Sequence, residues 1–396
     1  MIRQILSLCA RNSGHQVMYS HLLRALHTFQ ATADADSWNR LLYEAEQQGV
    51  APLLHHHSQR IDVQFPQDFR RLLHSLYLRS RQANTVRNRA VAEILTRYDT
   101  ANVPVLTIKG IALCNFLYEE PGLRPMRDMD LLVSESNIAA AQEILLELDY
   151  LPAEQHDIPE DYYHLPPLVK TIAGLPVTIE LHRNLLPFHP RYPLWPLEKS
   201  YAESRGFMIN GMTARTLSLE DTMWYVYLHG FQAPLTYEPF RLVHVADMVS
   251  LVEKYSEQIN WKLLRKHWPV ATNVLSRFHS LTPLQEEVIS RCNLPVEEQQ
   301  NQADHIAGQP YQGWPQRLLK DTSRGQLPRL IRDTLLPSRW WMQLYYGHLN
   351  GYGYWKARLF EHPREVWRWI KGYLLLYMNT KKKEKTKSCS DETSFD

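Results

Sequence analysis

The segment Asp128 to Val133 constrains the fold of this chain more than any other part of the sequence. It carries two aspartates one residue apart and alternates them with Met129, Leu131 and Val133. Alternate side chains of a β-strand lie on opposite faces, so the two carboxylates share one face. Two carboxylates placed in this way repel each other unless a cation lies between them. The segment therefore predicts a strand with a cation site, for which Mg²⁺ is the natural candidate.

A second alternating segment, Val177 to His182, has an apolar residue at every odd position. Glu180 lies at its centre and shares the polar face with His182. Because glutamate is disfavoured in the middle of a strand, it needs a partner or a function there. If this strand lies beside the first one, the carboxylates of Asp128, Asp130 and Glu180 come together at one point.

A short apolar run, Val103 to Ile108, is typical of a buried strand, and Lys109 and Gly110 follow it directly. A glycine between a strand and a helix lets the backbone approach a ligand and leaves helix N–H groups available for phosphate. Lys109 supplies a positive charge at the same place. Arg124 and Arg127, which precede the paired aspartates, are candidate ligands of a triphosphate.

Helical periodicity prevails on both sides of these strands. Helices are predicted from a Ser37 N-cap to Gly49, from about Pro66 to Tyr98, from Ser218 to Gly230 and from about Phe240 to Tyr255. A hairpin is predicted from Leu168 to His182, with its turn at Ala173-Gly174. One face of the helix over residues 66–98 is basic, and we interpret it as a solvated surface rather than a binding patch: Arg70, Arg71, Arg79, Arg81, Arg87 and Arg89.

The length and composition of the chain limit the size of the fold and the classes of function. The chain has 396 residues, enough for two or three compact units, and a net charge of +2 from 44 basic and 42 acidic residues. This balance gives no support for electrostatic binding to nucleic acid. The four cysteines show no CxxC spacing, and no apolar run approaches the ~20 residues needed to span a bilayer. We therefore expect a soluble, cytoplasmic protein.

The order of these motifs resembles the nucleotidyltransferase superfamily of the DNA polymerase beta type, and more narrowly an uncharacterised bacterial family within it. The resemblance covers roughly residues 37–265. It implies an α+β fold in which a polymerase-beta-like core, a small mixed sheet with helices, is flanked by N- and C-terminal helical regions. The residues that carry the resemblance are Trp38 to Leu54, Ile108-Lys109-Gly110, Arg127 to Val133, Glu180-Leu181-His182, His229, and Arg241-Leu242 with Asp247.

The resemblance also implies an activity. Asp128, Asp130 and Glu180 would bind two Mg²⁺ ions and the phosphates of a nucleoside triphosphate, which is the substrate. Glu180 would activate an acceptor hydroxyl for in-line attack on the α-phosphate. The wider superfamily has Gly-Ser where this chain has Lys109-Gly110, so a serine contact to the triphosphate is missing here.

Two histidines are candidates for the acceptor pocket. His182 shares a face with Glu180 and can line that pocket or assist proton transfer, and a structural hydrogen bond explains it equally well. His229 lies near the end of a predicted helix and admits the same two explanations. The acceptor itself can be a small molecule, a sugar, a peptide or a protein side chain.

The predicted organisation comprises an N-terminal helical region (1–100), a nucleotidyltransferase-like core (101–210), a C-terminal helical region (211–380) and a disordered basic and polar tail (381–396). Three alternatives stay open. The first is a non-catalytic nucleotide-binding or scaffold module on the same fold. The second is a metal-dependent hydrolase that uses His182, His229 and the carboxylates. The third is a membrane-surface adaptor that acts through the aromatic and lysine-rich C-terminus, which we consider less favoured than a helix packed on the protein.

Overall fold

The computed structural model describes residues 1–153, 162–186, 191–232 and 241–294, together with residues 328, 331, 334–337, 339–347, 351–372 and 374–375. The tail predicted over residues 381–396 lies outside the described residues. Among the described helices, none is both long enough and apolar enough to cross a membrane.

The first hundred residues form helices, as predicted: α1 (Ile2–Leu8), α2 (Gln16–Gln30), α3 (Ala35–Gln47), α4 (Ala51–Ser58) and α5 (Gln67–Thr100). The predicted N-cap of α3 is wrong, because the helix begins before Ser37. The Asp34 carboxylate accepts a hydrogen bond of 2.8 Å from the Ser37 backbone N–H and caps the helix. Aspartate caps a helix as well as serine does, so Ser37 lies within the first turn.

A mixed sheet follows in the chain. Its strands are β1 (Val105–Ile108), β2 (Asp128–Val133), β3 (Leu151–Pro152), β4 (Leu168–Ile172) and β5 (Leu175–His182), in the spatial order β1-β2-β5-β4-β3. β2 runs antiparallel to β1 and parallel to β5. β4 and β5 form the predicted hairpin, and its turn residues Ala173 and Gly174 both have positive φ, 51° and 76°. Positive φ at both central positions is what a type I′ hairpin turn requires.

The apolar face of β2 forms part of the core. Met129, Leu131 and Val133 are fully buried and belong to a hydrophobic cluster with residues of α5 and of α7 (Ile138–Glu147). Helix α6 (Lys109–Phe116) follows β1 without a loop. The alternation in the sequence therefore predicted correctly which face of β2 is apolar and buried, and the aspartates lie on the opposite face.

Helices predominate again after the sheet. The described chain contains α8 (Leu197–Tyr201), the hairpin of β6 (Arg205–Ile209) and β7 (Met212–Thr216), α9 (Leu219–Phe231), α10 (Leu242–Tyr255), α11 (Trp261–His267), α12 (Pro269–Asn273), α13 (Leu275–Leu281), α14 (Glu286–Cys292), α15 (Arg339–Tyr346) and α16 (Gly351–Lys356), which continues into a π-helical turn (Ala357–Glu361). Ser218 caps α9, as predicted, by accepting a hydrogen bond from the Asp221 backbone N–H. The β6–β7 hairpin was not predicted.

The N-terminal helices pack against those that follow the sheet, and the two groups share one hydrophobic cluster. Arg11, which is fully buried, joins them: its guanidinium donates to Thr282 Oγ1 at 2.7 and 3.0 Å and to Glu253 Oε1 at 2.9 Å. The α+β class, with a small mixed sheet between helical regions, is therefore confirmed. The predicted boundaries at residues 100, 210 and 380 stay predictions.

Candidate active site

The register of the sheet brings the acidic residues of two strands together. In the parallel pair β2–β5, Asp130 lies directly beside Glu180, and Asp128 lies beside Thr178. On the other side of β2, Asp130 pairs with Ile108, the last residue of β1. Glu180 thus points to the same face as the aspartates, 50 residues away in sequence, because parallel strands in register project equivalent side chains to one side.

Asp130, Glu180 and His182 form a compact group of possible metal ligands. One ligand atom from each lies within 4.8 Å of those of the other two. Asp130 and His182 are fully buried, and His182 Nε2 lies 2.8 Å from Asp130 Oδ1 and 3.5 Å from Glu180 Oε2. Of the predicted carboxylates, Asp128 is outside this compact group. The structure therefore places His182 within the carboxylate cluster itself.

Lys109 lies over the same cluster. Its ammonium Nζ is 2.6 Å from Asp130 Oδ1, and its side chain is 17% exposed. Lys109 has a φ of 52°, a left-handed conformation that is uncommon for a residue with a side chain. Such a conformation costs on the order of 1 kcal/mol and persists where surrounding interactions hold it. The ion pair with Asp130 is such an interaction.

These contacts determine the charges of the cluster. Burial alone would raise the pKa of Asp130, but the Lys109 ammonium and the His182 hydrogen bond outweigh burial and hold this pKa well below its usual range. Burial alone would likewise lower the pKa of Lys109, but the Asp130 carboxylate and the other acidic groups around it together raise this pKa well above the usual value. Burial alone would raise the pKa of Glu180, but the hydrogen bond from His182 and the nearby positive charge together lower it. Asp130, Glu180 and Lys109 are thus ionised at neutral pH.

Asp128 behaves differently. Burial, and next the negative charge of Asp130, raise the pKa of Asp128 to about 6. Its side chain lies at the wall of a cavity that Lys109 also lines. The two aspartates of one strand therefore have pKa values displaced in opposite directions, which is a common property of catalytic carboxylate pairs.

Two buried atoms of the cluster have no hydrogen-bond partner within the described residues: Asp130 Oδ2 and His182 Nδ1. A buried polar atom without a partner costs about 1–3 kcal/mol, so such atoms are expected where a ligand supplies the missing contact. Carboxylate oxygens are the ligands that Mg²⁺ and Mn²⁺ prefer. The oxygens of Asp130 and Glu180 therefore fit a divalent cation. His182 holds Asp130 in position through Nε2.

The residues predicted to bind nucleotide lie around the N-terminus of α6. A Cβ atom on Gly110 would lie 2.9 Å from Met126 Cβ and 3.1 Å from Arg124 Nη1, so this position requires glycine for close packing. Arg124 is buried and donates to both carboxylate oxygens of Asp247, each at 2.7 Å. Arg127, in contrast, is exposed. The Arg124–Asp247 pair connects the loop before β2 to α10, an arrangement that the sequence did not predict.

A cavity of about 700 Å³ opens beside Asp128 and the first turn of α6, within the size range of ligand pockets. Its walls come from α5, the loop before β2, the end of α9 and the start of α10. The basic residues that line it outnumber the acidic residues Glu46 and Asp128. They are Arg79, Arg87, Lys109, Arg124, Arg127 and Arg241.

His229 lines the same cavity, with its ring 5.4 Å from that of His244. Burial, and next the positive charge of Lys109, lower the pKa of His229 well below its usual value. Its imidazole is therefore neutral at physiological pH. Both predicted histidines lie close to Lys109, but only His182 contacts the carboxylates.

Sequence reasoning missed the arginines of α5. We interpreted Arg79 and Arg87 as part of a solvated face, and both line the cavity. Arg79 is solvent-exposed, as interpreted, whereas two guanidinium nitrogens of Arg87 are buried, so the interpretation is wrong for Arg87. The sequence contained a signal, because Asn84 and Asn88 recur with Arg87 at helical spacing, and the structure shows that both asparagines are buried.

Comparison with known proteins gives one family match. The model of a family described as "Uncharacterised nucleotidyltransferase" matches residues 34–268. No curated protein matches the chain. Two solved structures have similar chains. The antibiotic-resistance factor ANT(2'')-Ia is 16% identical with a TM-score of 0.32, over 50% of this chain and 98% of that one. An antigenic nucleotidyltransferase-like protein from Paracoccidioides brasiliensis is 14% identical with a TM-score of 0.29, over 52% of this chain and 97% of that one.

Proposed function

The chain belongs to the uncharacterised nucleotidyltransferase family, and from this membership we propose that it transfers a nucleoside monophosphate from a nucleoside triphosphate to an acceptor hydroxyl, with Mg²⁺ and with release of pyrophosphate. The observation that supports the proposal is the juxtaposition of Asp130 and Glu180 on neighbouring strands beside a basic cavity. Phosphoryl and nucleotidyl transfer require such a combination of carboxylates for a cation and basic groups for phosphates.

Asp130 and Glu180 would hold the divalent cation, with Asp128 as the next carboxylate at the cavity wall. A bound divalent cation would neutralise charge on the attacking and leaving oxygens. His182 orients Asp130 through its 2.8 Å hydrogen bond to Oδ1, and Oδ2 is the oxygen that has no hydrogen-bond partner within the described residues. Ionised Glu180 accepts the proton of the acceptor hydroxyl as that oxygen attacks the α-phosphate.

Lys109 has two roles in this proposal. In the present structure its ammonium neutralises Asp130. Once Asp130 serves as a cation ligand, the same ammonium is available to a phosphate oxygen of the triphosphate. Lys109 would thereby supply the contact that serine supplies in the wider superfamily. The N–H groups at the start of α6 and the exposed Arg127 lie nearby for the remaining phosphate oxygens.

One observation favours a second function, a nucleotide-binding module without catalysis. The ion pair of Lys109 with Asp130 neutralises the Asp130 carboxylate without a cation. The hydrolase alternative has less support, because the compact ligand group within the described residues contains His182 but not His229. His182 also directs Nε2 at Asp130 rather than at an open position.

The proposal is tested by incubating the protein with each α-³²P-labelled nucleoside triphosphate, Mg²⁺ and a cell extract. We expect label to be transferred to an acceptor by the wild type, and not by Asp130→Asn or in the presence of EDTA. Asp62→Asn, which changes an exposed aspartate, is the matched control and should retain transfer. Transfer that survives Asp130→Asn would eliminate the proposed site. Binding of nucleotide without any transfer would instead support the non-catalytic module.

A further inference from the structure

Helix α5 carries a polar stripe that faces the candidate site. Asn84 is buried and its Nδ2 donates to the backbone oxygens of Pro121 at 2.6 Å and Arg124 at 2.9 Å. One turn further, Asn88 exchanges side-chain hydrogen bonds with Asn115 at the end of α6. These amides attach α5 to both segments that frame the cavity. The helix backbone between them is therefore attached to the cavity on both sides, and one further side chain of the stripe lies on this part of the helix.

That side chain is Arg87. Its Nε and Nη1 atoms are buried and have no hydrogen-bond partner within the described part of the chain. The guanidinium lines the cavity together with Asp128, with which it interacts electrostatically. Leaving the donors of a charged group both buried and without an acceptor is unfavourable. An arginine kept in this state by a rigid helix is poised to bind an acceptor that enters the cavity.

The charge of the cavity indicates the kind of acceptor. Three of the basic side chains already have acidic partners: Arg79 pairs with Glu46, Arg124 with Asp247, and Lys109 with Asp130. Arg87, Arg127 and Arg241 add positive charge to the same wall, whose acidic residues are Glu46 and Asp128. An anion is therefore attracted to the cavity. The planar fork of arginine matches the oxygens of phosphate in particular.

We propose that Arg87 is a binding residue for a phosphate group of a substrate, and that this group occupies the cavity between α5 and the start of α6, beside Asp128. The inference rests on the proposed function, because it places the phosphate within reach of the carboxylate cluster. The phosphate can come from two sources: the triphosphate of the nucleotide, or a phosphate ester on the acceptor. Arg87 lies outside the segments that motif analysis assigns to nucleotide binding.

The test measures binding of two probes by calorimetry, inorganic triphosphate and phenyl phosphate, to the full chain with Mg²⁺ present. Arg87→Met removes the guanidinium, Arg87→Lys keeps the charge but not the fork, and Arg89→Met changes an exposed arginine of the same helix as the matched control. We expect Arg87→Met to lower the binding affinity of the probe that uses this site by about tenfold or more. Arg89→Met should leave that affinity unchanged. Thermal unfolding verifies that each variant is folded. If Arg87→Met does not fold, the binding affinity of Arg87→Lys tests the inference instead.

The two probes distinguish the sources. If the Arg87 variants lose affinity for triphosphate alone, Arg87 binds the nucleotide. If they lose affinity for phenyl phosphate alone, Arg87 binds a phosphorylated acceptor. The inference is wrong if the wild type binds neither probe, or if folded variants at position 87 bind both as the wild type does. Its failure is distinguishable from that of the proposed function. Label transfer that depends on Asp130 but not on Arg87 would support the proposed function and contradict the inference about Arg87. Phosphate binding that depends on Arg87, without any label transfer, would support the inference and contradict the proposed function.

Discussion

Lys109 Nζ lies 2.6 Å from Asp130 Oδ1, and a left-handed backbone at Lys109 directs the ammonium back over the sheet. The fully buried carboxylate therefore carries its counter-charge within the same motif, on the residue that follows β1. A lysine in this position neutralises the buried carboxylate without a cation.

Replacing Lys109 removes the counter-charge. We expect Lys109→Met to lower the free energy of unfolding by about 3 kcal/mol at pH 7 in EDTA, because a buried carboxylate is left without its cationic partner. Mg²⁺ should then stabilise the variant more than it stabilises the wild type, since it can replace the lost charge. Chemical denaturation with and without Mg²⁺ measures both effects. Lys262→Met, at an exposed position, is the control, and an equal response to Mg²⁺ in all three proteins contradicts the prediction.

The Arg124–Asp247 pair connects the loop before β2 to α10, and Tyr118 also donates to Asp247, at 2.7 Å. Asp247→Asn leaves a buried guanidinium without a carboxylate, so we expect a loss of about 3–5 kcal/mol in stability. Glu287→Gln breaks an exposed pair with Arg291 and should cost less than ~0.5 kcal/mol. Urea denaturation of the two variants compares these costs. Similar values for both would show that the buried pair does not hold the loop in place.

Alternation was sufficient to predict which faces of β2 and β5 are polar, because a strand has a period of two residues. It did not reveal that the two strands are parallel neighbours. The register that sets Asp130 beside Glu180 depends on how intervening segments pack, which no local pattern contains. From the sequence, the convergence of these carboxylates was therefore only a hypothesis. The structure shows it directly for Asp130 and Glu180.

Other features had sequence signals that were misinterpreted. Asn210-Gly211, between β6 and β7, is a strong hairpin signal, and both residues have the positive φ values, 47° and 83°, that the turn needs. The position of Arg87 at the cavity wall was harder to predict, because arginines on the exposed and on the buried face of one helix recur with the same spacing. At the start of α6, Gly110 was predicted to let the backbone approach a ligand, and the positive φ of the neighbouring Lys109 was not predicted.

Gly110 is required for space rather than for its φ value. In Gly110→Ala the added methyl would lie 2.9 Å from Met126 Cβ, an atom that cannot move without the backbone before Asp128. We expect a loss of about 1–3 kcal/mol in stability and a loss of nucleotide binding. Gly206→Ala on β6 is the matched control, because its new methyl would meet nothing closer than a backbone oxygen at 4.0 Å. If Gly110→Ala has the stability of that control, the close packing is unimportant.

The raised pKa of Asp128 makes a pH-dependent contribution to stability whose sign is opposite to that of an ordinary aspartate. Since the folded-state pKa of about 6 exceeds the unfolded value of about 3.8, the folded protein binds more protons between these pH values. Stability from this residue is thus present below pH 4 and is lost as the pH rises through 6. Asp128→Asn should therefore be more stable than the wild type at pH 7.5 by about 1–2 kcal/mol, and equally stable near pH 4. Denaturation in EDTA across this range measures the difference, and a difference that does not change with pH would show that Asp128 is ionised throughout.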